Sequence, residues 1–363
     1  MTRGYRFSLL AKHVSLAITG LLLAGCGDNS GPDIVTTTGM VTDIVRVVAG
    51  EDLQVEGLIG EGVDPHLFTP GRRDVERLMS APVVIYSGLH LEGRMQQQFE
   101  QLQKRKGDGR LVFAATDGID RDALRFDPNF EGHPDPHVWM DISRWSQCVQ
   151  HVADRLSEHD GDGRAAFEAN AAAYRKQLSE LDAYIREIIA SVPESQRYLV
   201  TAHDAFEYFA EAYGIEVRSI QGISTDSQAA IADVNALVEF IVEKQIPAIF
   251  VESSVPEKNI RAVIEGCAAR GWVVSIGGEL FSDAMGAPGT YEGTYLGMMD
   301  HNATTIARAL GGQTPERGWQ AKLAEEQGLR AEGREPDATD RASGDGKSAG
   351  PEDAALSKQS ASD

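Results

Sequence analysis

Along the first third of the chain, short β-branched runs alternate with stretches whose apolar residues recur every three or four positions. The two periods are those of a buried strand and of a helix packed on one face. Asp33 to Thr37 reads as a strand, Met40 to Val48 as a helix stopped at Gly50, and Leu53 to Ile59 as a second strand. A helix follows from about Pro70 to Ser80, then the strand Pro82 to Tyr86, the helical pattern LEGRMQQQFEQLQKR and the strand RLVFAAT. This rhythm predicts an α/β layer with a mostly parallel sheet.

From Asp141 the period is helical for a long stretch. ISRWSQCVQHVADRLSEH is amphipathic, DGDG at 160–163 breaks it, and AAFEANAAAYRKQLSELDAYIREIIASV then reaches Pro193 without an internal Gly or Pro. At 1.5 Å per residue the second helix is about 40 Å long, enough to act as a strut between domains or as a long packing helix. Beyond Pro193 the α/β rhythm returns. Strands are expected at Tyr198 to Thr201, EVRSI, AIFVESS and WVVSIG, and helices at Ala205 to Tyr213, Asp233 to Lys244, 256–270 and Tyr295 to Leu310, with a loop at 277–293. The expected organisation is an N-terminal α/β lobe (34–163), a linking helix (164–193) and a C-terminal α/β lobe (194–312). From 313 to 363 the chain is rich in Ala, Gly, Ser and charge, and reads as an acidic, low-complexity, disordered tail.

The N-terminus changes the picture. Arg3, Arg6 and Lys12 precede the apolar run Val14 to Leu23, which is too short for a membrane span and has the form of an export signal. It ends in Leu23-Ala24-Gly25-Cys26, which resembles the bacterial lipobox, so residues 1–26 read as a lipoprotein signal with Cys26 as the lipidated residue and 27–33 as a tether. Such a protein works outside the cytoplasm, anchored to a bacterial membrane. Cys148 and Cys267 both sit in helical patterns and read as buried free thiols, although an oxidising compartment would permit a bridge between them. A formal net charge of −21 leaves no basic stripe for nucleic acid.

The chemistry concentrates in two Asp-Pro-His triplets, Asp64-Pro65-His66 and Asp135-Pro136-His137, in a chain with 9 histidines. Proline fixes its own φ and pushes the preceding residue towards extended geometry, so each triplet is a stiff loop presenting an imidazole. His203 follows the first strand of the second half. Ligands of open α/β sheets bind beyond the carboxyl ends of strands, so these three histidines fit one crevice between two domains. The fourth ligand is best supplied by Asp283 in the loop LFSD, whose other reading is a cap or turn residue. Glu252, closing the strand AIFVE, competes for that place, but a carboxylate leaving an apolar strand suits better the task of orienting a ligand histidine through its free ring N–H. His151 and His159 read as solvated helix residues and His301 as a packing or capping residue. Imidazole with carboxylate suits Zn²⁺, Mn²⁺ or Fe²⁺, and affinity order leans towards Zn²⁺.

In their order, the stretches GEGVDPHLFTP, APVVIYSGLHLEG, DPHVWMD, TAHDAFEYFAEAYG, IFVESSV and LFSDAMG…GTYLGMMDHN resemble the solute-binding lipoproteins of bacterial ABC importers for zinc and manganese. The resemblance covers about residues 33–312. It implies two α/β lobes joined by one long helix, a metal bound between them by His66, His137, His203 and Asp283, no enzymatic activity, and a monomer that delivers its ion to an ABC transporter permease. A histidine at the third position tilts the resemblance towards zinc, whereas the short, histidine-poor segment 117–136 and GISTDSQAA are closer to mixed zinc/manganese members. Ser87 stands where the family usually has asparagine. Two other functions compete: an extracytoplasmic metallohydrolase with Glu252 as general base on a metal-bound water, and a surface adhesin whose metal is structural.

Overall fold

Strands Ile34–Thr36 (β1), Val55–Gly57 (β2), Val83–Tyr86 (β3) and Leu111–Ala114 (β4) form one parallel sheet in the order β2-β1-β3-β4. The computed structural model describes residues 31–105, 109–127, 130, 132–226 and 229–324. The export signal, Cys26, residues 27–30 of the tether and the tail beyond Ala324 therefore lie outside the described residues.

Helices Gly39–Ala49 (α1), Arg72–Ser80 (α2) and Gln96–Lys104 (α3) connect these strands. Helix Ile142–His159 (α4) starts at Asp141, whose side chain accepts the Ser143 N–H at 2.7 Å. The long helix Arg164–Ala190 (α5) buries Phe167, Ala171, Tyr174, Leu178, Leu181, Ile185 and Ile188, a stripe in steps of three and four. The stripe covers α1 and α4 on one side and helix Tyr295–Ala309 (α9) on the other, so α5 packs on both halves of the fold. One half-buried carboxylate pins the three elements: Asp43 Oδ2 of α1 accepts the Tyr174 hydroxyl at 3.0 Å and the Tyr295 N–H at 3.1 Å.

The second half carries two parallel pairs, Tyr198–Thr201 (β5) with Glu216–Ser219 (β6), and Ala248–Glu252 (β7) with Ser275–Leu280 (β8). Helices Glu207–Tyr213 (α6), Ile231–Lys244 (α7) and Lys258–Ala269 (α8) connect them. The architecture is thus the expected α/β arrangement of parallel sheets flanked by helices. Cys148 and Cys267 are buried and free.

Three local expectations are corrected. The strand expected at WVVSIG begins only at Ser275 and runs on to Leu280, taking in residues assigned to a loop. Val273 is 86% exposed, and the Trp272 indole leaves the strand line to donate to the Ile246 carbonyl at 2.8 Å. His151 is half-buried rather than solvated, its ring edge-on to Phe113 at 5.4 Å and packed on Gly118. Within 313–324, assigned to the tail on composition, Trp319 and Leu323 are buried at 8% and 7% exposure, and the Trp319 backbone N–H donates to both oxygens of Asp300 on α9 at 2.9 and 3.0 Å.

Candidate metal centre

Each Asp-Pro-His triplet folds back on itself through its aspartate. Asp64 Oδ1 accepts the His66 N–H at 2.8 Å, and Asp135 Oδ1 accepts the His137 N–H at 2.9 Å. This Asx-type turn, with proline between, fixes the histidine backbone before the imidazole meets anything else. The other two residues leave the carboxyl ends of strands, His203 just past β5 and Asp283 just past β8.

His66, His137, His203 and Asp283 are all buried, and one ligand atom from each lies within 4.8 Å of the others. His66 Nε2 is 3.3 Å from His137 Nε2 and 3.7 Å from Asp283 Oδ2. Asp283 Oδ1 is 3.3 Å from His137 Nε2, and its Oδ2 is 3.2 Å from His203 Nε2. Ligands at about 2.0–2.1 Å from a tetrahedral ion stand roughly 3.3 Å apart, and the His66–His137, His137–Asp283 and His203–Asp283 separations lie near that value, the carboxylate reaching the histidines through both of its oxygens. Among the described residues, His203 Nε2 and both Asp283 oxygens find no hydrogen-bond partner outside the cluster. Buried polar atoms without partners are costly, and here they converge on one point.

Two of the imidazoles are held from behind by carboxylates. His137 Nδ1 is 2.7 Å from Asp135 Oδ1, so one oxygen steers both the backbone and the ring of the same residue. His203 Nδ1 is 2.5 Å from Glu252 Oε2, while Glu252 Oε1 accepts the backbone N–H groups of Ala202 and His203 at 2.7 and 2.9 Å. Both Glu252 oxygens are thereby engaged with the His203 segment. Glu252→Gln should keep the two backbone contacts but turn an amide N–H₂ towards Nδ1. Nδ1 then becomes an acceptor and the proton moves to Nε2, the nitrogen that faces Asp283. Competition titration is expected to show a 10–100-fold loss of metal affinity, with an almost unchanged unfolding midpoint.

The charges are divided unequally. Burial presses His66 down to about 3, outweighing the pull of Asp283. Burial also opposes charge on His137, but Asp135 and Asp283 outweigh it and push the group up to about 9. For His203, burial is again overcome, here by Glu252 and Asp283, and its pKa lies well above the ordinary histidine value. Burial works against ionising Asp283, yet His203 and His137 hold its carboxyl well below the usual range.

Asp135, as the partner of His137, was not singled out from sequence, although the repeated Asp-Pro-His was its signal. Nor were His90 and His133, whose rings lie 3.7 Å apart. The expected set of four is brought together, with Glu252 beside it.

The family described as the periplasmic component A of the zinc-uptake complex (ZnuA) matches residues 34–309. The zinc-binding protein TroA of Treponema pallidum (strain Nichols) is 47% identical over 282 residues, which is 77% of this chain and 89% of that protein. The manganese-binding lipoprotein MntA of Bacillus subtilis (strain 168) is 44% identical over 296 residues, 79% of this chain and 95% of that protein. The solved structure of the periplasmic zinc-binding protein TroA from Treponema pallidum superposes with a TM-score of 0.74, covering 77% of this chain and 99% of that one.

Proposed function

The chain belongs to the family of the periplasmic component A of the zinc-uptake complex, and on that premise we propose that it captures a divalent transition metal, zinc or manganese, and hands it to an ABC-type membrane permease. The ion is cargo, bound by His66, His137, His203 and Asp283. The observation that carries this reading is the convergence of three imidazoles and one carboxylate, all buried, with three of their polar atoms finding no partner outside the cluster among the described residues. Four protein ligands nearly complete the shell of such an ion, whereas catalytic zinc sites keep a position open for water.

The protein works outside the cytoplasm as a monomer tethered through lipid on Cys26. Support for the tether comes from the lipobox-like residues 23–26 and from the lipoprotein MntA, a 44% identical relative. No helix of the described residues is long and apolar enough to cross a membrane. Between the two metals, three imidazoles favour zinc on affinity order, while the two relatives are named for zinc and for manganese.

Metal analysis of protein purified without chelator tests the reading, and one equivalent of zinc or manganese is expected. Adding back the metal at about a thousandfold over its Kd should stabilise the stripped protein by roughly 4 kcal/mol, raising Tm by roughly 10 °C. Chelator should reverse the shift. Protein that carries no metal, and whose Tm neither ion moves, would refute the proposal.

A further inference from the structure

His66 differs from the other two histidines. Among the described residues it has no carboxylate behind its ring comparable to Asp135 or Glu252, and its loop is held instead by a segment of the opposite half. Asp64, whose Oδ1 fixes the His66 N–H, accepts the Thr225 hydroxyl on Oδ2 at 2.5 Å. On the other side of His66, the Arg94 guanidinium donates to the Leu67 carbonyl at 3.0 Å and pairs with Asp226 Oδ1 at 2.7 Å. Thr225 and Asp226 are neighbours on the connection between β6 and α7. Thr225 therefore holds the chain just before one ligand of the first half directly, and its neighbour Asp226 holds the chain just after it through Arg94.

Position adds to this. His66 lines a cavity of 160 Å³ together with His90, Leu91, Arg94, Phe130, Ser224 and Asp226, and His137, His203 and Asp283 do not line that cavity. His66 is 6% exposed, against 0–1% for the other three. The ligand nearest open space is thus the one whose placement depends on contacts between the halves.

We propose that Thr225, Asp226 and Arg94 are positioning residues for the metal, which hold the His66 loop in its ligating place, and that His66 is the ligand that leaves first when the ion is given up. The inference rests on the metal-carrier reading above. It assigns release to a small event, the opening of one hydrogen bond and one ion pair, with His137, His203 and Asp283 left in place. A partner that competes for Asp226 or Arg94 would speed release without unfolding either half. Both side chains are accessible for that, at 44% exposure for Arg94 and 65% for Asp226.

The test measures the rate at which zinc-loaded full-length protein loses its ion to excess chelator in stopped flow. Arg94→Ala, Asp226→Ala and Thr225→Val are each expected to raise the release rate about tenfold, the lower end of what supporting residues contribute at metal sites. Arg94→Ala and Asp226→Ala should be non-additive, and the exchanged pair Arg94→Asp with Asp226→Arg should recover much of the slow release. The readout that a merely structural role would not move is the background dependence. In His66→Ala protein the Asp226→Ala effect should vanish, whereas in Glu252→Gln protein it should persist. Wild-type protein that binds no metal would overturn the carrier reading, and this inference with it. Wild-type protein that binds one equivalent, with variants that release it within twofold of the wild-type rate, would overturn only the positioning role. So would an Asp226→Ala effect of full size in the His66→Ala background.

Discussion

Asp283→Asn is expected to lower affinity for a divalent ion by about three powers of ten, read as the shift in a competition titration against a chelator of known affinity. Asp283 is the one anionic member of the proposed ligand set, and it lies between all three imidazoles, 3.2–3.7 Å from each Nε2. Even two unit charges 4 Å apart at an effective dielectric of about 20 attract by about 4 kcal/mol, and every 1.4 kcal/mol is a tenfold change in Kd. A divalent ion in direct contact gains at least that much. Asparagine preserves the shape, so the loss reports the charge rather than a cavity. The same substitution removes a carboxylate that raises His137 and His203, so proton competition in the variant should weaken and its pH dependence flatten. A variant that keeps affinity within tenfold of wild type would remove Asp283 from the ligand set.

The cluster of His66, His137, His203 and Asp283 was legible because its members are announced by local chemistry. An Asp-Pro-His loop is stiff whatever surrounds it, and a histidine or aspartate just past a strand stands at the rim of an α/β sheet by construction. The frame of β8 was not legible for the opposite reason. Trp272-Val273-Val274 has strand composition, whereas the true strand contains Gly277 and Gly278. Those glycines are required by α9, since a Cβ on Gly278 would come within 2.4 Å of Thr305 Cγ2 and one on Gly277 within 2.8 Å of Ala309 Cβ. The close approach of a helix some thirty residues downstream in sequence leaves no periodic trace. Trp319 escaped notice similarly, as a lone aromatic in a polar segment whose anchor, Asp300, lies on another element. The grip of Thr225 and Asp226 on the His66 loop joins residues more than a hundred positions apart, and no spacing rule connects them.

The largest effect is expected from pH. Metal can bind only to unprotonated imidazole nitrogen. In the metal-free protein His66 is already neutral, with its pKa down at about 3 under the dominance of burial, and costs the ion nothing in proton displacement. His137, pushed up to about 9 by Asp135 and Asp283 against its burial, and His203, raised well above its ordinary value by Glu252 and Asp283 against burial, both carry a proton at neutral pH. Binding one divalent ion should therefore expel about two protons, which leaves the net charge of the buried site unchanged. That balance avoids the cost of burying extra charge. Two displaced protons make the apparent Kd rise as pH falls through the neutral range, by up to about a hundredfold per pH unit where both imidazoles are protonated in the metal-free protein. Calorimetry in two buffers of different ionisation enthalpy counts the protons directly, and competition titration across the range gives the slope. The linkage has a second sign. A raised histidine stabilises the metal-free fold fully below its unfolded value near 6.5, and that contribution is lost as pH rises through about 9. Metal-free protein should thus melt at lower temperature towards pH 9, while the loaded form, free of proton competition there, gains its largest advantage. Release of fewer than one proton, with Kd flat from pH 8 to 6, would mean that His137 and His203 wait for the ion uncharged.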